Sequence, residues 1–282
     1  MDRFDLKNRA ALVTGGGGLL GLQHSNAILK KNGILILVDI NQKKLGINIK
    51  ELKKKYDGKI YSFICDITNE KEVIKLKNKL FRLKILPQIL INNAAIDYRP
   101  KKKNKKNQSK TRLEFFDINQ LKKEINVGLV GAVICSKVFG FEMAKNKKGV
   151  ILNIGSDLSF ISPDQNLYKI KNLKETHQPV KPISYSIIKH GILGLTKYTA
   201  NYWIKKNVRC NMLAPGGILN NQPKNFINKI KKIIPIGRMA KKDEYEDAIL
   251  FLISDASSYM NGSYLIIDGG RTSLWQIILK NH

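Results

Sequence analysis

Short runs of consecutive apolar residues alternate along this chain with longer stretches in which apolar residues recur every three or four positions. The runs fall at residues 10–13, 34–38, 60–64, 85–91, 150–154, 208–213 and 264–267. A continuous apolar run bounded by turn residues predicts a strand buried on both faces, as in a parallel sheet covered by helices. The intervening stretches have the helical period: one follows Gly21 through Ala27, Ile28 and Leu29, a lysine-rich one runs through Leu52, and others begin near Thr68, Ile118, Tyr185 and Asp243. Seven strands alternating with helices predict an α/β fold, a single doubly wound domain over residues 1–282 with a mainly seven-stranded parallel sheet.

In such sheets ligands bind at the carboxyl ends of the strands, so the residues that follow each run carry the candidate chemistry. The first run enters Thr14-Gly15-Gly16-Gly17-Gly18-Leu19-Leu20-Gly21 and then a helix. A strand, a glycine turn and a helix in that order allow backbone N–H groups and the helix N-terminus to face a pyrophosphate. The second run ends on Asp39, followed by Ile40. A carboxylate there accepts hydrogen bonds from an adenosine ribose and repels a 2′-phosphate, which favours NAD over NADP. Lys43 and Lys44 stand close enough in sequence to soften that preference. The third run leads into Cys65-Asp66-Ile67, where Asp66 is placed either to meet the adenine or to cap the helix beginning near Thr68. The fourth leads into Asn92-Asn93-Ala94-Ala95, and the fifth into Gly155-Ser156.

Asn126 interrupts the apolar face of the helix that starts near Ile118. A buried mid-helix amide is costly unless hydrogen-bonded, so it is expected to brace the structure or to organise a water. Tyr185 and Lys189 are four residues apart, on one face if the segment is helical. A phenol titrates near pH 10, and an ammonium roughly 4 Å away favours its ionised form by about 4 kcal/mol at an effective dielectric near 20. The spacing alone is weak, because Tyr98/Lys102 and Tyr202/Lys206 share it; only Tyr185 follows a strand that ends in a serine.

Charge changes the picture little. Fifty Lys and Arg against 22 Asp and Glu give a formal +28, but only eight of the basic residues are arginine and the runs lack interleaved aromatics. A solvated lysine surface is favoured over a nucleic-acid site. The basic tract 99–110 reads as a solvated loop, or else as a border of the substrate mouth. Three cysteines, Cys65, Cys135 and Cys210, lie in apolar segments and suggest buried thiols in a reducing compartment, with no metal site. The apolar runs fall short of the ~18 residues a membrane span needs, so a soluble, cytoplasmic protein with no membrane partner is expected.

Taken together these segments resemble the short-chain dehydrogenase/reductase family. The resemblance runs through the glycine loop, Asp39, Asn92-Asn93-Ala94, Asn126, Asn153-Ile154-Gly155-Ser156, Tyr185-x-x-x-Lys189, Asn211 to Gly217, Pro235 to Met239 and Asp268-Gly269-Gly270. It implies a Rossmann-type domain, a bound NAD, a small-molecule alcohol or ketone as substrate, and a homodimer or homotetramer. It also implies that Ser156 holds the reacting oxygen, Tyr185 exchanges its proton, Lys189 tunes the tyrosine and binds the nicotinamide ribose, and Asn126 holds a water of the proton relay. Further cofactor contacts are implied at Gly15, Gly18, Leu19, Leu20, Gly21, Asp39, Ile40, Asp66, Ile67, Asn93, Ala94, Ala95, Pro215, Gly216 and Ile218.

Leu19 departs from the commonest glycine pattern, and Gly15, Gly18 and Gly21 match the spacing of the sugar-nucleotide branch. Lys181-Pro182-x-x-Tyr185-Ser186-x-x-Lys189-His190-Gly191 is similar to a branch associated with sugar acids and bacterial surface sugars, which implies a sugar-derived substrate. Two insertions are read, at about 97–112 and 157–184, the second a substrate lid or a surface flap. The alternatives are a nucleotide-sugar epimerase or dehydratase, which lacks room here for a C-terminal substrate domain, a basic nucleic-acid-binding protein, and a catalytically silent scaffold. The apolar ending Trp275–Leu279 is assigned to an interface or to its own subunit.

Overall fold

A computed structural model describes residues 2–96 and 109–273. The Tyr98/Lys102 pair, most of the 99–110 tract and the ending at 275–279 lie outside the described residues.

Seven parallel strands form one sheet: β1 (Ala10–Thr14), β2 (Ile34–Asp39), β3 (Ile60–Ile64), β4 (Ile89–Asn92), β5 (Gly149–Ile154), β6 (Val208–Pro215) and β7 (Tyr264–Ile267). Their order is β3-β2-β1-β4-β5-β6-β7. The chain thus winds outward one way from β1 and then the other way from β4, and the crevice where the direction reverses is the binding position of a doubly wound sheet. Among the described residues eight α-helical segments accompany the sheet: α1 (Leu19–Leu29), α2 (Gln42–Lys55), α3 (Glu70–Arg82), α4 (Ile118–Ile125), α5 (Gly131–Lys145), α6 (Ile183–Tyr202), α7 (Lys224–Lys231) and α8 (Glu246–Ile253).

Alternation along β1 splits the core. Ala11 and Val13 pack with Ala27 and Ile28 of α1 and Ile249 and Ile253 of α8; Ala10 and Leu12 pack on the other face with Val73 and Leu76 of α3 and Phe139 and Met143 of α5. All three cysteines are buried, and burial pushes the Cys65 thiol up to about 11.

Some boundaries differ from the sequence reading. The fourth strand begins at Ile89 instead of residue 85, because Lys84 turns at φ +56° and Pro87 carries no N–H for a ladder. Helix α7 has no counterpart in that reading. Between α4 and α5 the residues Asn126–Val130 form a π turn, with the Gly131 N–H bonded to the Asn126 carbonyl, so 118–145 is one continuous helix. By length and composition alone that helix could cross a membrane, although no run of consecutive apolar residues in it approaches ~18. More than half of its most apolar window is buried against the protein.

Candidate active site

The carboxyl ends of β1, β2, β4, β5 and β6 open onto one cleft of about 1430 Å³. The glycine loop forms its floor at β1. Gly15 adopts φ +67°, and a Cβ there would stand 2.9 Å from the Ala94 Cα. Gly15, Gly18, Leu19 and Leu20 line the cleft. Gly21 does not: a Cβ on it would lie 2.5 Å from the Gly15 carbonyl oxygen, so its role is to let α1 pack under the loop. Of the residues assigned to the cofactor, Gly21 is the one that does not line the described cleft. The loop is tied down by Asn48 of α2, whose amide donates to the carbonyls of Gly16 (2.8 Å) and Gly18 (3.2 Å).

Asp39 lines the cleft at the end of β2, with Oδ2 accepting from the Gly17 N–H at 2.9 Å and Oδ1 from the Asn41 N–H at 2.8 Å. Ile40 and Lys44 line it as well, whereas Lys43 does not. Asp66 and Ile67 border the same end. Asp66 Oδ1 accepts from the Thr68 N–H and hydroxyl, so it forms a turn ahead of α3, whose N-cap is Asn69. Asn93, Ala94 and Ala95 line the cleft beyond β4. Thr14 Oγ1 accepts from the N–H groups of Asn93 and Ala94 at 3.0 and 3.1 Å, which joins β1 to β4 at the crevice.

His24 of α1, which the sequence did not single out, is fully buried beside this junction. The Asn93 amide donates to the carbonyls of Thr14 and Gly15, which fixes its oxygen toward His24 Nε2 at 3.1 Å. His24 is therefore neutral with Nε2 protonated, and burial holds its pKa down at about 4. Between that value and an unfolded pKa near 6.5 the unfolded chain binds more protons, so stability falls as pH falls through this window. We expect wild-type unfolding free energy to drop by about 2 kcal/mol more than that of His24→Gln between pH 7 and pH 5, measured by urea titration. Equal drops would remove His24 as the cause.

The other half of the cleft is built on β5, α4 and α6. Ser156 is buried, and its Oγ donates to Asp157 Oδ1 at 2.7 Å and accepts from the Leu158 N–H at 3.2 Å. Asp157 Oδ2 in turn pairs with Arg271 Nη1 at 2.6 Å, both side chains being buried. Tyr185 stands in the first turn of α6, and Lys189 one turn later donates from Nζ to the Ile154 carbonyl at 2.8 Å, with Nζ 5.7 Å from the Tyr185 ring centroid. The four-residue spacing thus delivers both side chains to the same cleft.

Asn126 lines the cleft too, but it is exposed there instead of buried, at the mouth of the π turn. Pro215, Gly216 and Ile218 border the cleft beyond β6, and the buried Tyr245 phenol, pushed up by burial, donates to the Gly216 carbonyl from below at 3.2 Å. Of the candidate site residues, then, all but Gly21 meet in one place. Tyr202 is exposed at the far end of α6.

The 157–184 stretch borders the cleft through residues 167–170 and 179–182. Its short turns pack Leu167 and Tyr168 against Phe226 and Ile230 of α7, and Lys229 donates to the carbonyls of Asn166 and Lys169. Gln178 stitches the loop to itself through Ile170 and Leu173.

This geometry defines a dinucleotide-type crevice with a tyrosine–lysine pair at its inner end. A family profile for short chain dehydrogenase matches residues 9–168, and one described as Enoyl-(Acyl carrier protein) reductase matches residues 174–272. The chain belongs to the short-chain dehydrogenase family, whose members are oxidoreductases that act on CH–OH groups by hydride transfer with a nicotinamide dinucleotide. It is similar to a "2-dehydro-3-deoxy-D-gluconate 5-dehydrogenase" of Bacillus subtilis, 30% identical over 95% of this chain and 96% of the relative. It is also similar to the "Post-translational flagellin modification protein A" of Campylobacter coli, 28% identical over 94% and 98%. The crystal structure of a gluconate 5-dehydrogenase from Burkholderia cenocepacia, in complex with NADP and tartrate, superposes with a TM-score of 0.82 at 24% identity, covering 97% of this chain and 99% of that one.

Proposed function

We propose that this protein interconverts a secondary alcohol and a ketone on a sugar-derived substrate, with NAD(H) preferred over NADP(H) and Tyr185 as the acid–base group. The observation that carries the reading is the Tyr185–Lys189 pair, anchored by the Ile154 carbonyl and sharing its cleft with Ser156 and Asn126. A nicotinamide dinucleotide fits the crevice, since the glycine loop lines it at Gly15 and Gly18 and the N-terminus of α1 carries no side-chain cap, which leaves its N–H groups open to a pyrophosphate. Asp39, Ile40, Asp66 and Ile67 would hold its adenosine end, and Asn93, Ala94, Ala95, Pro215, Gly216 and Ile218 its other end. When bound, that cofactor accepts or supplies the hydride.

The protein's own task is the proton. The Lys189 ammonium favours the Tyr185 phenolate, so the phenol can take a proton from an alcohol or return it to a ketone near neutral pH. Ser156 Oγ orients the reacting oxygen, and Asn126, exposed at the π turn, is placed to hold a water that passes the proton outward. A sugar-derived substrate is supported by the similarity to the gluconate-type dehydrogenase of B. subtilis and by the amides Asn220, Asn221, Gln222 and Asn225 on the cleft wall. Exposed Val133, Phe141, Tyr198 and Tyr202 on α5 and α6 support a homodimer or homotetramer.

The NAD preference rests on Asp39. The superposed gluconate 5-dehydrogenase holds NADP, so cofactor choice is the sharper test. Titration with NADH and NADPH, followed by nicotinamide fluorescence at two salt concentrations, should show tighter, salt-insensitive NADH binding. Asp39→Ala should narrow the preference by about tenfold, the equivalent of one lost charge-assisted hydrogen bond. An unchanged NADH/NADPH ratio in that variant would take Asp39 out of cofactor selection.

A further inference from the structure

Lys181 approaches the ring of Tyr185 more closely than Lys189 does. Its Nζ stands 3.7 Å from the centroid of the Tyr185 ring, against 5.7 Å for Lys189. The position is built into the backbone. The Lys181 N–H donates to Gln165 Oε1 at 2.8 Å, and its carbonyl accepts from Gln165 Nε2 at 3.5 Å. The preceding Val180 N–H donates to the buried Thr111 hydroxyl at 3.0 Å, and the following Pro182, itself buried, is the N-cap of α6. The loop that borders the cleft therefore ends by delivering an ammonium to the ring of the candidate acid–base tyrosine.

We propose that Lys181 is a second cation for Tyr185, acting through the ring face to stabilise the phenolate and so to lower the pH at which this residue exchanges its proton. The inference rests on the reading of Tyr185 as the acid–base group. A cation above an aromatic face is attracted by the ring's negative face, and ionisation of the phenol adds negative charge to that ring, so the attraction favours the ionised form. Tyr185 also lies in the first turn of α6, where the helix dipole acts in the same direction.

Other charged groups surround the pair. On α4 the carboxylate of Glu124 bonds to the hydroxyl of Ser184, next to Tyr185, and opposes ionisation; Lys122 and Lys123 line the cleft and favour it. After β5, Asp157 is neutralised by Arg271. On α6 itself Lys189 adds to the effect, and the exposed His190 ring bonds to the Ser186 carbonyl. Across the cleft the exposed Lys169 lies on the same loop as Lys181.

The first readout of the test needs no substrate. The tyrosinate absorbance of Tyr185 is isolated by subtracting the titration of Tyr185→Phe from that of the full-length protein. It is isolated again in the Lys181→Met and Lys181→Arg backgrounds. The Tyr185 midpoint is expected to rise on the order of one pH unit in Lys181→Met and to stay in place in Lys181→Arg. An unmoved midpoint in Lys181→Met overturns the proposal. So does a rise in KM confined to anionic substrates with no midpoint shift, since that result makes Lys181 a substrate contact. Failure of the underlying reading looks different: Tyr185→Phe would keep its turnover, whatever the titration shows.

Discussion

Replacing Tyr185 by phenylalanine is expected to lower turnover by roughly 10³-fold, the range assigned to a positioned acid–base group, and to leave NADH affinity within about twofold. The substitution removes one oxygen and keeps the ring on which the Lys181 and Lys189 ammonium groups are arranged. Lys189 remains tied to the Ile154 carbonyl, so the substitution leaves its anchor in place. A loss shared by kcat and kcat/KM, with NADH titration unchanged, is the signature of a group used only in the chemical step. Near-normal turnover would refute the mechanism. Lys189→Met is a poorer probe, because it withdraws a buried donor from the last carbonyl of β5 as well as a charge from the tyrosine.

Much of this site was legible because a parallel sheet buries both faces of its strands and leaves function to their carboxyl ends. The apolar runs marked the strands, and residues at or just after their ends, among them Gly15, Asp39, Asn93 and Ser156, line the cleft. The errors have local causes. Asn126 was expected to be buried because a 3.6-residue period places it on the apolar face, yet a π turn starts at this residue and the period fails there. Gly21 shares the loop's spacing with Gly15 and Gly18 but serves packing, a difference that only the 2.5 Å approach to the Gly15 carbonyl reveals. Asn48, His24 and Arg271 carried no sequence signal, since their importance lies in partners far along the chain; Lys181 stood out only as part of the Lys-Pro-x-x-Tyr motif, and its approach to the Tyr185 ring was not read from it. Arg271 meets Asp157 across 114 residues, and no spacing rule reaches that far.

That last contact leads to the largest expected effect on stability. Arg271→Met should cost roughly 3–5 kcal/mol of unfolding free energy, because it strands a buried carboxylate without its cation. Asp157 would keep the Ser156 hydroxyl and the Leu158 N–H as donors, which stabilise its charge only in part. The same change should loosen the turn at 268–273, where Asp268 accepts from the N–H groups of Gly270 and Thr272 and Arg271 supplies the tie to the turn that follows β5. Adding Asp157→Asn removes the stranded charge while leaving an oxygen that can still accept from Ser156 and Leu158. The double variant should therefore recover most of the loss, since replacing both partners of a buried pair is far less costly than removing one. Urea unfolding of the two variants at pH 7 decides the matter: a single variant within about 1 kcal/mol of wild type would mean that water reaches Asp157. A double variant no better than the single would mean that Arg271 acts through packing and not through its charge.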